Sequence, residues 1–406
     1  MKHFVIKEKL ANAPWKDNKF LFHVMSVLGG KNYTKIVGGA LRDFYLGIKP
    51  KDYDLATTHL PNEVLIILKR SNIKCFSIGI EFGTISAVLD KNTIHITTLR
   101  KDIKTDGRHA VVEYTKNWFE DSLRRDFTFN AMYADFDGTI YDPLNGLKDL
   151  KNKNINFIGN PASRIAEDRL RILRYFRFFG FFPYAYKKDN NLEEVIKSKG
   201  EIKHLSGERI YNEFSKILGS LNAVFILRIM LKYDILSIVI PELKGINISS
   251  IKLLSYIPEK LVICRLGFLL RKSKGESKST SKHLLLSKPE QIELNNVVNF
   301  PTIINDKMDI RKRIFEVGNI NAKNEYFISL AESRKKPKKE ILSIIDNWVA
   351  PVFPLKGSDV NKLGIKEGPV IGALLKKVEN WWVYNNFISD KEVCLEKLKQ
   401  YIKEIN

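Results

Sequence analysis

KIVGGALRDFYLGIKPKDYDLATT, residues Lys35 to Thr58, is the stretch on which the rest of the chain turns. Lys35 to Val37 reads as a strand, Gly38 and Gly39 as a turn, and Ala40 to Leu46 as a short helix closed by Gly47; a second strand runs near Asp52 to Ala56. Side chains alternate along a strand, so Asp52 and Asp54 point to one side with their bases ~6 to 7 Å apart. Hard oxygens converging from one side suit Mg2+, and two such ions ~4 Å apart activate an attacking hydroxyl and steady a leaving pyrophosphate. Gly38 and Gly39 have no side chains, which lets a triphosphate approach the main-chain N–H groups at the helix start, with Arg42 beside it. An isolated Asp-Tyr-Asp is equally an ordinary surface turn, so the surrounding sequence has to decide.

At 406 residues the chain is long enough for two or more domains, and its 44% apolar and 28% charged content is ordinary for a globular protein. Its charge is not ordinary. Sixty-seven Lys and Arg against 46 Asp and Glu leave +21, which makes a polyanion the first partner to consider and an anionic membrane surface the second. A lysine-rich codon bias would give the same excess without a binding role. Cys75, Cys264 and Cys394 are far apart, odd in number and free of CxxC spacing, which argues against a disulfide framework or a zinc site. The opening MKHFVIKEKLANAPWK lacks the apolar core of a signal peptide and no later run approaches a membrane span, so a cytoplasmic protein without membrane association is expected.

Residues 1 to 33 read as a helical lead-in and Pro61 to Ser71 as a helical connector. Strands are predicted over Lys74 to Gly79, Thr84 to Leu89 and Thr93 to Thr98, with Ile94 and Ile96 facing the core and His95 and Thr97 the other side. Lys101 to His109 reads as a mobile polar loop, and Phe129 to Ala134 and Thr139 to Tyr141 as strands turning at Asp137-Gly138. Beyond residue 150 apolar residues recur at helical spacing, as in Arg164 to Phe179, Leu221 to Leu236, Ile251 to Leu270, Ile341 to Val349 and Val370 to Trp382. The expected fold class is therefore α+β, a small mixed sheet followed by an all-helical remainder, with a boundary near Gly159-Asn160-Pro161. The Lys/Ser-rich run from Lys272 to Lys282 reads as a flexible loop or linker.

Two further constellations carry chemistry. Arg124, Arg125 and Asp126 lead into a strand, and paired arginines beside a carboxylate clamp a triphosphate or ribose as readily as they form a plain salt-bridge cluster. In RIAEDRLRILRYFR, residues 164 to 177, Asp168, Arg171, Arg174 and Arg177 recur every third residue. On one helix each step rises ~4.5 Å and drifts ~60°, giving a winding stripe. Asp168 only accepts and Arg171 only donates hydrogen bonds, so together they suit the amino donor and ring-nitrogen acceptor of cytosine or adenine; an i, i+3 salt bridge on a solvated helix is the competing reading. His95 stands where a third carboxylate would complete a two-metal site; Asp126 and Glu113 are the other acidic groups within the reading.

Taken in order, these runs resemble the class II tRNA nucleotidyltransferase (CCA-adding) and bacterial poly(A) polymerase family. The matching pieces are Gly38 to Asp43 with Asp52-Tyr53-Asp54, Phe82-Gly83-Thr84, Thr97 to Arg100, Gly107-Arg108-His109, Arg124 to Ala131, Tyr141-Asp142-Pro143 and Glu167 to Arg171. The resemblance implies a nucleotidyltransferase (polymerase-beta-like) head over residues 1–150, a neck with base recognition over 151–220, and an RNA-binding body and tail over 221–406. It implies Mg2+ on Asp52 and Asp54, nucleotide binding by Gly38, Gly39, Arg42, Arg124, Arg125, Asp168, Arg171, Arg174 and Arg177, and tRNA, CTP and ATP as partners. The acidic residue usual before the Thr-Thr pair is His95 here, and the proline usual after Arg-His is Ala110. Gly79 to Thr84 and the Gly357 to Gly372 tail look like the CCA-adding branch. The expected reaction is addition of C, C and A to tRNA; a poly(A) polymerase, a CC-only or A-only enzyme, and a non-catalytic RNA-binding protein are the alternatives. The 101–109 loop is the expected device for switching from C to A.

Overall fold

The computed structural model describes residues 6–50, 52–77, 79–90, 92–105, 110–182, 190–300, 304 and 306–404. All strands among them precede residue 142: β1 (Ile6–Lys9), β2 (Thr34–Val37), β3 (Asp54–Thr57), β4 (Lys74–Phe76), β5 (Thr84–Leu89), β6 (Asn92–Thr98), β7 (Arg100–Thr105), β8 (Ala110–Tyr114), β9 (Tyr133–Ala134) and β10 (Thr139–Tyr141). Eight form one mixed sheet in the order β1-β10-β9-β2-β3-β6-β5-β4, and β7 and β8 form a separate ribbon. The strand carrying Asp54 lies in the middle, antiparallel to β2 (Val37 opposite Asp54) and parallel to β6 (Asp54 beside His95).

Period-2 alternation sets this register: Ile94 and Ile96 are 3% and 0% exposed, while His95 between them is exposed. Four helices lie among the strands, α1 (Lys19–Val27), α2 (Gly39–Tyr45), α3 (Pro61–Arg70) and α4 (Trp118–Leu123), and α5 (Gly146–Asn152) follows the last of them. The parallel β3–β6 pair needs a crossover, and α3 with β4 and β5 supplies it.

From residue 161 onward the described elements are helical: α6 (Pro161–Glu167), α7 (Arg171–Phe179), α8 (Asn190–Lys197), α9 (Gly207–Leu218), α10 (Ala223–Lys232), α11 (Leu236–Val239), α12 (Ile248–Lys252), α13 (Val262–Ser273), α14 (Ser277–His283), α15 (Lys288–Asn299), α16 (Lys307–Ser333), α17 (Lys339–Asn347), α18 (Gly357–Asn361), α19 (Gly368–Tyr384) and α20 (Lys391–Lys403). The fold is α+β. Two compact units result, residues 1–248 with 282–286, and 249–281 with 287–406. The second has its own core, in which Leu374, Val378 and Trp382 of α19 meet Leu398 of α20 and Val360 of α18. Pro369 starts α19 and Gly364, at φ +91°, ends the preceding turn, as their chemistry requires. No described helix is long and apolar enough to cross a membrane.

Several expectations are corrected. Lys101–His109 is not a loop: Arg100–Thr105 pairs with Ala110–Tyr114 as a ribbon, and residues 106–109 lie outside the described residues. Its polar composition concealed the pairing: Lys101 stands across from Glu113 in the ribbon, while its Nζ lies 3.1 Å from Glu120 Oε2 of α4. The Lys272–Lys282 run is not a linker. It finishes α13 and forms α14, in which Ser277, Thr280 and Ser281 are buried because their hydroxyls find partners, such as Thr280 Oγ1 donating to the Glu276 carbonyl at 2.8 Å. Thr128–Asn130 is a 3-10 turn rather than the start of a strand. Finally, Asp52 precedes β3 instead of lying in it.

Candidate active site

One open cavity of about 530 Å³ in the first unit gathers residues from the sheet, the β7–β8 ribbon, α2, the segment after α4, the turn from α6 into α7, α7 itself and α9. Seven arginines (Arg42, Arg100, Arg124, Arg125, Arg171, Arg174, Arg209) and four aspartates (Asp54, Asp102, Asp126, Asp168) line it with Gly39, Asn130 and Leu170. Such an excess of guanidinium suits a polyphosphate. Of the eleven residues assigned to metal or nucleotide from the sequence, Gly38, Asp52 and Arg177 do not line the cavity; the other eight do.

Gly38 takes φ +70° and ψ −112°, a conformation that an L side chain adopts only under strain, and it turns β2 directly into α2. Arg42, one turn into α2, donates to Asn130 Oδ1 (2.8 Å) and to Asp43 Oδ1 (2.6 and 2.9 Å), which fixes its guanidinium at the cavity wall. Arg124 and Arg125 are aimed by Asp121 of α4, whose side chain is fully buried. Its two oxygens take Arg124 Nη2 and Arg125 Nη2, both at 2.8 Å, and Tyr133 Oη at 2.7 Å. Burial alone would raise the Asp121 carboxyl, but Arg125 and Arg124 with the Tyr133 hydrogen bond hold it well below the ordinary carboxylate range. Asp126 accepts from Asn130 Nδ2 (2.9 Å), the Phe127 amide (2.9 Å) and Arg174 Nε (2.7 Å). Burial opposes its ionisation, yet Arg174 and these bonds bring it down to about 2.

The stripe from Asp168 to Arg177 is not on one helix. Asp168 ends α6 in an extended conformation (φ −147°, ψ 103°), and Arg171 begins α7. The break is stabilised by Asp168 itself, whose Oδ1 accepts from the Leu170 amide at 3.0 Å. Asp168 and Arg171 therefore reach the same cavity without pairing with each other. Asp168 takes Arg209 Nη2 of α9 at 2.8 Å, whereas Arg171 donates to Glu167 Oε2 (2.8 Å) and to the Arg164 carbonyl (2.7 Å). Arg174 joins Asp126, and Arg177 lies behind the wall with its Nε 2.8 Å from Glu213 Oε2. That contact is not aligned as a hydrogen bond, so charge rather than geometry holds it. Burial, with Arg174 and Arg42 adding to it, lowers Arg177 to about 10 against the pull of Glu213.

Asp54 opens onto the cavity but is crowded by protein on its other sides, and that desolvation pushes its carboxyl above the ordinary range against the attraction of His95 and Arg125; Asp52 adds like-charge repulsion. Tyr53 between them donates to the Pro14 carbonyl at 3.3 Å. His95, beside Asp54 on β6, bonds Ser86 Oγ through Nδ1 at 2.9 Å. No group of three or more His, Cys, Asp or Glu able to hold a metal exists among the described residues. The donor set that is present, two carboxylates beside an arginine-lined cavity, fits a hard divalent cation.

Asp121, Arg209 and Glu213 were missed from the sequence. Asp121 stood at i, i+3 and i, i+4 spacing from Arg124 and Arg125, a visible cue whose weight came only with burial. Arg209 and Glu213 reach their partners from 41 and, for Arg177, 36 positions along the chain, with no local signal.

With this geometry in hand, comparison with known proteins is direct. The Poly A polymerase head domain family matches residues 34–156, and the family described as the probable RNA and SrmB-binding site of polymerase A matches residues 190–246. Human CCA tRNA nucleotidyltransferase 1, mitochondrial, is 32% identical over 384 residues, covering 90% of this chain and 86% of the human protein. The CCA-adding enzyme of Ligilactobacillus salivarius is 30% identical over 396 residues, covering 91% and 92%. The crystal structure of the Bacillus stearothermophilus CCA-adding enzyme in complex with CTP superposes with a TM-score of 0.79 at 24% identity, covering 96% of this chain and 98% of that one, a likeness of fold. With its ordered motifs gathered at one arginine-lined cavity and its relatives matched nearly end to end, the chain belongs to the class II CCA-adding tRNA nucleotidyltransferase family.

Proposed function

We propose that this enzyme adds CMP, CMP and AMP, from CTP and ATP, to the 3′ end of tRNA without a nucleic-acid template and releases pyrophosphate at each step. The observation that carries the reading is that one cavity holds Asp54, the Gly39–Arg42 phosphate corner and the Asp168–Arg171 pair. The curated relatives matched nearly end to end are CCA-adding enzymes, which favours this reading over poly(A) synthesis.

Nucleotidyl transfer in this family uses a divalent cation, which we take to be Mg2+ on Asp52 and Asp54. When bound, it supplies a more acidic attacking hydroxyl and neutralises charge on the departing pyrophosphate. The chain's own groups do the rest by position and charge. Arg42 and the N–H groups after Gly38 hold the triphosphate, and Arg124 and Arg125 offset the charge that grows at the α-phosphate. Asp168 accepts from the amino group of cytosine or adenine while Arg171 donates to the ring nitrogen. Both are engaged with protein partners, so base reading exchanges the Asp168–Arg209 and Arg171–Glu167 bonds for bonds to the nucleotide. Arg174 acts on sugar or phosphate, and Gly38 and Arg177 act from behind the wall.

In this reading residues 1–150 form the catalytic head, 151–220 the neck and 221–406 the RNA-binding body and tail, whose basic helices hold tRNA by backbone and shape. The enzyme works in the cytoplasm; subcellular fractionation distinguishes this from the mitochondrial residence named for the human relative. The test is Asp52→Ala and Asp54→Ala. Each abolishes incorporation of labelled CMP while tRNA binding survives; retained incorporation in either would overturn the metal assignment.

A further inference from the structure

Phe178 of α7 is fully buried, yet three guanidinium groups from two distant parts of the chain lie over its ring. The guanidinium carbon of Arg177 is 4.3 Å from the ring centroid, that of Arg42 4.9 Å and that of Arg174 5.6 Å. Arg42 belongs to α2, beside the phosphate corner, whereas Arg174 and Arg177 share α7 with the ring. All lie within the reach over which an aromatic face attracts a cation.

Three like charges around one point repel, and three separate carboxylates offset them. Asp43 pairs with Arg42, Asp126 with Arg174, and Glu213 with Arg174 and Arg177; no carboxylate among the described residues pairs with all three. The ring is the neighbour they have in common. It is itself fixed, since Phe127 and Phe129 meet it edge-to-face at 5.3 and 5.2 Å, with interplanar angles of 79° and 77°. The depressed basicity of Arg177, to which Arg174 and Arg42 both contribute, agrees with guanidinium groups close enough to sense one another.

We propose that Phe178 is a positioning residue whose π-face holds Arg42, on the triphosphate side, together with Arg174 and Arg177 of α7, the helix that begins with the base-reading Arg171, so that gripping the phosphates and reading the base act as one unit. The inference rests on the nucleotidyl-transfer reading above. It assigns to a buried phenylalanine, which does not line the cavity, a part in nucleotide affinity that packing alone would not give it.

The test replaces Phe178 in the full-length protein with 4-fluoro-, 3,5-difluoro-, 3,4,5-trifluoro- and pentafluorophenylalanine, which drain charge from the ring face while nearly keeping its shape. Kd for CTP and ATP is read by titration, and Tm for each protein. We expect log Kd for both nucleotides to climb with each fluorine, to a loss of roughly five- to thirtyfold at the end of the series, while Tm falls by only a few degrees as the contacts in the unliganded fold weaken. In an Arg42→Ala background the slope should flatten, because one of the coupled cations is gone. Where the pentafluoro protein does not fold, the first three members still define the slope. A flat series in folded protein overturns the inference and leaves the proposed function standing; failure of the unmodified protein to bind either nucleotide overturns the function reading instead.

Discussion

Neutralising Asp121 should unfasten the arginine corner of the site and cost the first unit a large part of its stability. The side chain is 0% exposed and serves two guanidinium groups that are themselves only 14% and 16% exposed. In Asp121→Asn the amide keeps one acceptor but turns an N–H toward a cation, so at least one arginine loses its counter-charge in a dry setting. Breaking a buried pair from one side costs ~3 to 5 kcal/mol, and with one hydrogen bond retained the expected loss is ~3 kcal/mol. For a unit of about 250 residues, with an m-value near 3 kcal/mol/M in urea, the midpoint moves down by about 1 M. Trp118, whose ring is 5.3 Å from that of Tyr133, contributes the fluorescence signal. The pH dependence has a fixed sign. A carboxyl held below its unfolded value stabilises the fold above ~pH 4 and loses that contribution as pH falls, so the gap between wild type and variant should close on acidification. KM for CTP and for ATP should rise together, since Arg124 and Arg125 serve both. A midpoint shift under roughly 0.3 M, or a gap unchanged down to pH 3, would refute the reasoning.

Asp126→Asn should show the same sign at smaller size: with its carboxyl at about 2, wild type holds ~2 kcal/mol above pH 5 that fades as pH falls toward 2, and urea midpoints across that range check it. Gly38→Ala should cost ~1 to 3 kcal/mol, because φ +70° strains any side chain and the new Cβ would sit 3.4 Å from the Asn130 carbonyl; a Tm equal to wild type would contradict this. The Kd for tRNA should weaken roughly tenfold or more between 50 and 200 mM salt, as for a protein that displaces counterions from several phosphates, and a flat dependence would count against the basic helices as the RNA surface.

Local features of this fold were legible in the sequence. Glycines, prolines and two-residue alternation act within a few residues of themselves, which is why the Gly38–Arg42 corner, the Ile94/Ile96 register and the capped start of α19 read correctly. Asp168 was legible as a chemical group but not as a helix break, since no Gly or Pro marks it; its own carboxylate, bonded to the Leu170 amide, does the breaking. The β7–β8 ribbon was hidden because β7 is polar except for Ile103 and shows no apolar alternation. Least legible were the groups that aim the site from a distance. Glu213 and Arg209 come from α9 and acquire meaning only when tertiary packing brings that helix against α7, and nothing in the local sequence marks Phe178 as the ring on which three guanidinium groups converge.

The central claim is a reaction with a defined end. A tRNA transcript lacking its last three nucleotides should be incubated with the purified protein and Mg2+, with CTP alone, ATP alone, and both, and each product measured by mass. Two added C with CTP alone, and C, C and A followed by arrest with both, are the expected results. A long A tract with ATP alone, or only one or two of the three residues added with both nucleotides, would contradict it.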